Sequence, residues 1–250
     1  MEAKGKMNYQ LDTHTHTISS GHAYNSMCEM IQAAVAQGLK IIGITDHAPQ
    51  MPGGPHPYYF TNLIHMNGAA LSEVYGIEVL LGVEANIMDK NGTLDLENQL
   101  LQKMDVVIAS MHLPCYPPGT EVENTNAAVN VLKNPAVDIL GHPEDGRYPM
   151  NYEIIISTAK EYGKLIELNN ASLKPNAYRQ NGRENAIEIL KLCKQYNQPI
   201  VVNSDAHLMV DVGNTKYVQP LLQAVKFPEN LIINTSPDSF RKMIQKGKRK

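Results

Sequence analysis

Leu11-Asp12-Thr13-His14-Thr15-His16-Thr17, residues 11–17, places two histidines two positions apart in a β-prone run. On a strand, positions i and i+2 point to the same face. His14 and His16 therefore aim both imidazoles at one point. Asp12 shares that face and is placed to hold one ring by a hydrogen bond from behind. This is the geometry of a metal site. Taken alone, it is equally that of two polar residues on an exposed strand face.

The strand pattern repeats along the chain. Buried-strand runs are expected over 41–47, 78–86, 105–112, 137–142, 164–170 and 199–207. Helices alternate with them. Asn25 or Ser26 caps the first, whose apolar positions Met27, Met30, Ile31, Ala34 and Val35 follow helical spacing up to Gly38. Further helices are expected over 61–75, 126–133, 152–162, 183–196 and 215–225. Ser236-Pro237, a cap followed by proline at the first helical position, opens a last one. Strands alternating with helices are the sequence form of a parallel α/β barrel or an open parallel sheet. The 250 residues, 43% of them hydrophobic, suffice for one core, so one domain over 1–250 is expected.

Composition narrows the function classes. A net charge of -3 argues against a surface built for nucleic acid. Nine histidines against no tryptophan point to sites rather than packing. Cys28, Cys115 and Cys193 are odd in number, widely spaced and without a CxxC, which fits reduced thiols in a cytoplasmic protein. The opening residues Met1 to Lys6 lead into no apolar stretch, so no signal peptide is read. No run approaches the ~18 apolar residues of a membrane helix.

The decisive observation is where ligand-type residues fall. His14, His16, His47, Glu84, His112, His142, Asp205 and His207 all lie at or just past the C-terminal ends of predicted strands. In a barrel those ends converge on one rim, where catalytic residues collect. Imidazoles with a few carboxylates suit Zn²⁺, Mn²⁺ or Fe²⁺. With His22 the candidates number nine, too many for one ion and enough for two or three. Clustered metals with open positions generate hydroxide near neutral pH and clamp a phosphoryl group.

His14-x-His16, His22, Thr45-Asp46-His47, Gly82-Val83-Glu84-Ala85-Asn86, His112, Gly141-His142-Pro143 and Ser204-Asp205-Ala206-His207 together resemble the PHP (polymerase and histidinol phosphatase) superfamily. His22-Ala23-Tyr24 and Glu84-Ala85-Asn86 look closest to its YcdX-like branch of phosphatases. The resemblance implies a distorted (β/α)7 barrel with a trinuclear metal site at the C-terminal rim of the strands. It implies that His14, His16, Glu84 and Asp205 hold a first ion. Glu84 then bridges to a second, completed by His112 and His142, and His22, His47 and His207 hold a third. Thr13 and Asn203 depart from the expected pattern without touching a ligand position, and Glu144 is placed to alter the substrate rim.

The expected activity is a phosphatase on small phosphomonoesters, in which a metal-bridging hydroxide attacks in line. Glu84, Asp205 and His207 are its catalytic candidates. Arg179 and Arg183 are candidates for phosphate contact, since guanidinium matches phosphate bidentately. A 3′–5′ exonuclease, a histidinol phosphatase and a non-catalytic metal-storage module are the alternatives. Asp46 either orients a ligand or packs. His56 sits in a Pro-rich loop, His65 in a helix, and Tyr58, Tyr59 and Phe60 either form a lid or pack under the loop. The basic tail from Lys242 to Lys250 is expected to be a solvated terminus.

Overall fold

The computed structural model describes residues 7–245. The opening residues 1–6 and the tail residues 246–250 lie outside that range. Every strand runs parallel, in two sheets. The first holds β1 (Leu11–Asp12), β2 (Ile41–Ile44) and β3 (Glu78–Leu81) in that order. The second holds β4 (Val83–Asn86), β5 (Val107–Ser110), β6 (Ile139–Leu140), β7 (Leu165–Asn169) and β8 (Ile200–Asn203). An isolated parallel bridge spans each seam, Thr15↔Ala206 beside β8 and His47↔Glu84 beside β4.

The expected strand over 78–86 is thus two strands, broken at Gly82. A Cβ there would lie 2.2 Å from the Val106 carbonyl oxygen and 3.2 Å from Thr45 Cγ2. The chain is squeezed between its two neighbours at this point, and β3 pairs with β2 while β4 pairs with β5. The opening strand is also shorter than expected. His14 and His16 lie beyond β1, flanking the bridge residue Thr15.

Helices cover the outside. They are α1 (Met27–Ala36), α2 (Pro57–Leu63), α3 (Gly68–Tyr75), α4 (Asn98–Leu101), α5 (Glu121–Lys133), α6 (Tyr152–Tyr162), α7 (Gly182–Tyr196), α8 (Gln219–Val225) and α9 (Pro237–Gln245). Ser26 and Glu29 form a capping box on α1. The helix expected over 61–75 is two, because Ile64 ends α2 and Asn67 caps α3 through Ala70 N–H. Tyr58, Tyr59 and Phe60 belong to α2, and Phe60 is fully buried.

Alternate strand residues pack inward as one cluster. Leu11, Ile41, Leu80, Ile108, Ile139, Leu165 and Val201, drawn from both sheets, meet Phe240 and Ile244 of α9. The opposite strand faces pack against the helices. Asn234 clips β1 to β8: its Nδ2 donates to Leu11 O at 2.9 Å and its Oδ1 accepts from Val202 N at 2.7 Å. Both sheets therefore present their C-terminal ends on the same side, which fixes where the histidines meet.

Candidate metal centre

Glu84 stands at the centre. Its Oε1 lies 3.3 Å from His14 Nε2, 3.3 Å from His112 Nε2 and 3.0 Å from His142 Nε2. Its Oε2 lies 2.7 Å from His47 Nδ1 and 3.5 Å from His16 Nε2. Asp205 Oδ1 lies 3.2 Å from His16 Nε2, 3.7 Å from His14 Nε2 and 3.5 Å from His207 Nδ1. Three groupings put one ligand atom of each residue near the others: His14, His16 and Asp205; His47, Glu84 and His112; His16, His47 and His207. The His22 ring lies 4.8 Å from those of His47 and of His207, on the exposed side.

The donor set fits a metal. His14 Nε2, His16 Nε2, His47 Nδ1, His112 Nε2 and Glu84 Oε2 are buried without a hydrogen-bond partner. Buried polar atoms are otherwise paired almost without exception. Ligands about 2.0–2.1 Å from a tetrahedral ion sit roughly 3.3 Å from one another, close to the spacing found here. Backbone strain agrees. His142 and Asp205 adopt positive φ, 29° and 54°. Such conformations cost on the order of 1–3 kcal/mol each and cluster at functional sites.

The electrostatics suit these residues to coordination. Burial alone would raise the Glu84 carboxyl, but His14, His112 and His47 hold it well below the usual carboxylate range. Asp205 is likewise held well below it despite burial, chiefly by His14, His16 and Arg179. Burial, reinforced by His47 and His207, pushes His16 well below its ordinary value. Burial brings His112 to about 4. His22 and His207 are also lowered, chiefly by burial. These rings are neutral at pH 7 and free to coordinate. His14 is the exception. Burial opposes its charge, but Glu167, Glu84 and Asp205 outweigh burial and raise it well above the ordinary value.

A layer behind the ligands fixes their orientation, and part of it escaped the sequence reading. Asp12 does not hold a ring. Its carboxylate accepts from Ser204 Oγ at 2.5 Å and Gly213 N at 2.8 Å. Glu167 takes the expected role. Its Oε1 accepts from His14 Nδ1 at 2.7 Å and Asn203 Nδ2 at 2.8 Å. Its Oε2 accepts from His142 N at 2.8 Å and Asn169 Nδ2 at 3.1 Å. Asn86 Oδ1 faces His112 Nδ1 at 2.8 Å, and Ser20 Oγ faces His16 Nδ1 at 3.1 Å. Asp46 holds Ser20 in turn, at 2.6 Å, and accepts from Thr17 and the Tyr59 hydroxyl. A lone acid inside the apolar run Leu165-Ile166-Glu167-Leu168 was the available signal, since unpaired buried acids are rare.

Glu167→Gln is an expected weakening of this site without loss of fold. One carboxylate oxygen becomes an NH₂ facing a donor, either His14 Nδ1 or the His142 amide. Metal affinity should fall about 10- to 100-fold, as read by competition with a chromogenic chelator. Unchanged affinity would show that Glu167 only packs.

A cavity of about 770 Å³ opens onto the cluster, lined by His22, His112, Asp205, His207 and Arg179 among others. Arg179 is buried. Its guanidinium donates to Ser172 Oγ at 2.8 Å and Asp205 Oδ2 at 3.1 Å, while Nε–H has no partner. Arg183 is exposed at the start of α7 and does not line the cavity. Glu144 is fully buried, so it does not shape the rim, and burial pushes its carboxyl up to about 8. His56 caps α2 through Tyr58 N–H, and His65 is exposed in the turn after it. Among the described residues no helix is long and apolar enough to cross a membrane.

Fold and site together define a parallel α/β protein with a histidine–carboxylate cluster able to hold metal ions. The PHP domain family matches residues 12–205, and the chain belongs to that family. It is 44% identical over 252 aligned positions to a protein of Caldanaerobacter subterraneus named a probable phosphatase, covering 100% of this chain and 96% of that one. A probable phosphatase of Clostridium novyi is 43% identical, with 98% of each chain covered. The fold is similar to that of a histidinol phosphate phosphatase from Lactococcus lactis, solved with zinc, L-histidinol and phosphate. The TM-score is 0.62 at 18% identity, over 88% of this chain and 95% of that one.

Proposed function

We propose that this chain is a metal-dependent phosphatase acting on small phosphomonoesters, with three ions in the cluster and the two sheets serving as one distorted (β/α)7 barrel. The observation that carries the reading is the convergence of four buried, unpartnered imidazole nitrogens around the Glu84 carboxylate, whose own Oε2 is also unpartnered. The names of the close relatives support the activity. His14, His16, Glu84 and Asp205 would hold the first ion, Glu84, His112 and His142 the second, and His22, His47 and His207 the third. The imidazole-rich set favours zinc, with Mn²⁺ or Fe²⁺ as substitutes. When bound, such ions lower the pKa of water toward neutrality and neutralise phosphoryl charge.

The chain's own residues bind and orient. Arg179 lines the cavity and is held by Ser172 and Asp205, so its guanidinium is positioned in advance for a phosphate oxygen. His207 lines the cavity with its Nδ1 3.5 Å from Asp205 Oδ1, and its lowered pKa leaves the ring neutral at pH 7 and able to hold the third ion. Asp205 stays ionised and ties both groups to the cluster.

The test is metal removal. Protein purified without added metal should carry transition metal by elemental analysis and release phosphate from small phosphomonoesters. Chelation should remove both, and Zn²⁺ or Mn²⁺ should restore both. A protein that neither carries nor takes up metal, or hydrolyses equally well without it, overturns the proposal. Labelled single-stranded DNA and histidinol phosphate in the same panel separate the exonuclease and histidinol phosphatase alternatives.

A further inference from the structure

The mouth of the metal-facing cavity is aromatic and apolar, although its floor is charged. At about 770 Å³ it is far larger than a phosphate group needs, and falls in the size range of sites that enclose a whole small molecule. Four large side chains line it while remaining exposed: Tyr24 at 72%, Tyr178 at 65%, Leu113 at 44% and Leu208 at 42%. Large apolar side chains gathered at one opening mark a place where something binds.

The outer cations are already engaged. Arg147 forks onto Asp145, with Nε 2.9 Å from Oδ1 and a second guanidinium nitrogen 2.5 Å from Oδ2. Lys174 Nζ donates to Asp211 Oδ2 at 2.9 Å. Each is charge-balanced by its acid, so neither brings an uncompensated positive charge to a second phosphate or a carboxylate on the substrate. Tyr178 is held in place instead. The Arg147 guanidinium carbon lies 4.8 Å from its ring centroid and that of Arg179 lies 5.2 Å away. A ring fixed in advance loses little freedom when another ring stacks on it.

We infer that the cavity selects phosphomonoesters whose leaving group is a planar, uncharged aromatic ring, stacked on Tyr178 and closed in by Tyr24, Leu113 and Leu208. This rests on the phosphatase reading above. Arg179 then joins the two halves of the site: its guanidinium donates to Asp205 beside the proposed metal ligands, and its central carbon lies over the Tyr178 ring that receives the leaving group.

The experiment uses the metal-loaded full chain, with phenyl phosphate, a nucleoside 5′-monophosphate and glycerol phosphate as substrates. The quantity read is the ratio of kcat/KM for each aromatic substrate to that for glycerol phosphate, in wild type and in Tyr178→Ala. Comparing the ratio between the two proteins cancels the intrinsic reactivity of each ester. Losing an aromatic stack should lower it at least about fivefold, and Tyr178→Phe should restore it. Tyr24→Ala, at a ring with no cation stacked on it among the described residues, should lower it in the same direction. Phenylphosphonate should also bind more tightly than methylphosphonate by calorimetry, and Tyr178→Ala should erase the difference. Which aromatic ester suffers more tells the size of ring the mouth takes. An unchanged ratio together with equal phosphonate affinities overturns the inference. If wild type hydrolyses none of the esters, the phosphatase reading fails, and the phosphonate comparison still decides this one.

Discussion

Glu84→Ala should leave a folded protein that has lost its transition metal and its phosphatase activity. The carboxylate contacts five imidazoles, and no other acid among the described residues replaces it between His47 and His112. Its loss dismantles the bridge between the proposed first and second ions. Metal catalysis contributes several kcal/mol of charge stabilisation, so the fall in kcat should reach about a thousandfold or more. Elemental analysis should show at least two of the proposed three ions gone. Glu84→Gln separates charge from shape. The amide fills the same space but turns one oxygen into a donor facing nitrogen atoms that must coordinate. It should behave like alanine in metal content while keeping the wild-type circular dichroism spectrum. A glutamine variant with full metal and full rate would show that the Glu84 carboxylate does not hold the ions.

The strand-end rule explains why so many of these residues were legible beforehand. His47, Glu84, His112, His142, Asp205 and His207 needed only the alternation of apolar strands and helices to be placed at neighbouring strand ends. What escaped was whatever depends on partners far away in sequence. Asp12 stands two residues before His14, but β1 ends at Asp12 and the period-two expectation does not carry on to His14. Its carboxylate points to Ser204 and Gly213, which the local sequence does not announce. Glu167 was passed over because it lies inside a strand rather than at its end. Arg179 and Arg183 both read as candidates for phosphate contact, Arg179 the preferred one. The difference arises from the loop before α7, which buries Arg179 beside Asp205 and leaves Arg183 in solvent.

Gly82 is the least legible element of all, and its replacement should be among the most damaging changes that touch no proposed ligand. Glu78-Val79-Leu80-Leu81-Gly82-Val83-Glu84-Ala85-Asn86 reads as one uninterrupted strand. The break is imposed by Val106, whose carbonyl oxygen would meet a new Cβ at 2.2 Å and whose Cγ1 would meet it at 2.6 Å. That carbonyl cannot simply retreat, because it accepts the Val83 amide at 3.2 Å as β4 begins. On the other side, the Gly82 amide donates to Ile44 O at 2.9 Å. Gly82→Ala must therefore open one seam or the other. Overpacking costs about 1–3 kcal/mol, and a lost buried backbone pairing adds about 1–3 kcal/mol. The total is a large part of the roughly 5–15 kcal/mol that holds a typical domain together. Urea unfolding should show the midpoint falling sharply, and Gly82→Val should fail to accumulate as soluble protein. Gly68→Ala, whose new Cβ would meet nothing nearer than Leu81 Cδ1 at 3.4 Å, should leave the midpoint unchanged or raise it slightly. Because Glu84 lies two residues beyond the break, the soluble fraction of Gly82→Ala should also bind metal more weakly than wild type. Equal midpoints for the two alanine variants would mean that the pinch between the sheets does not constrain the fold.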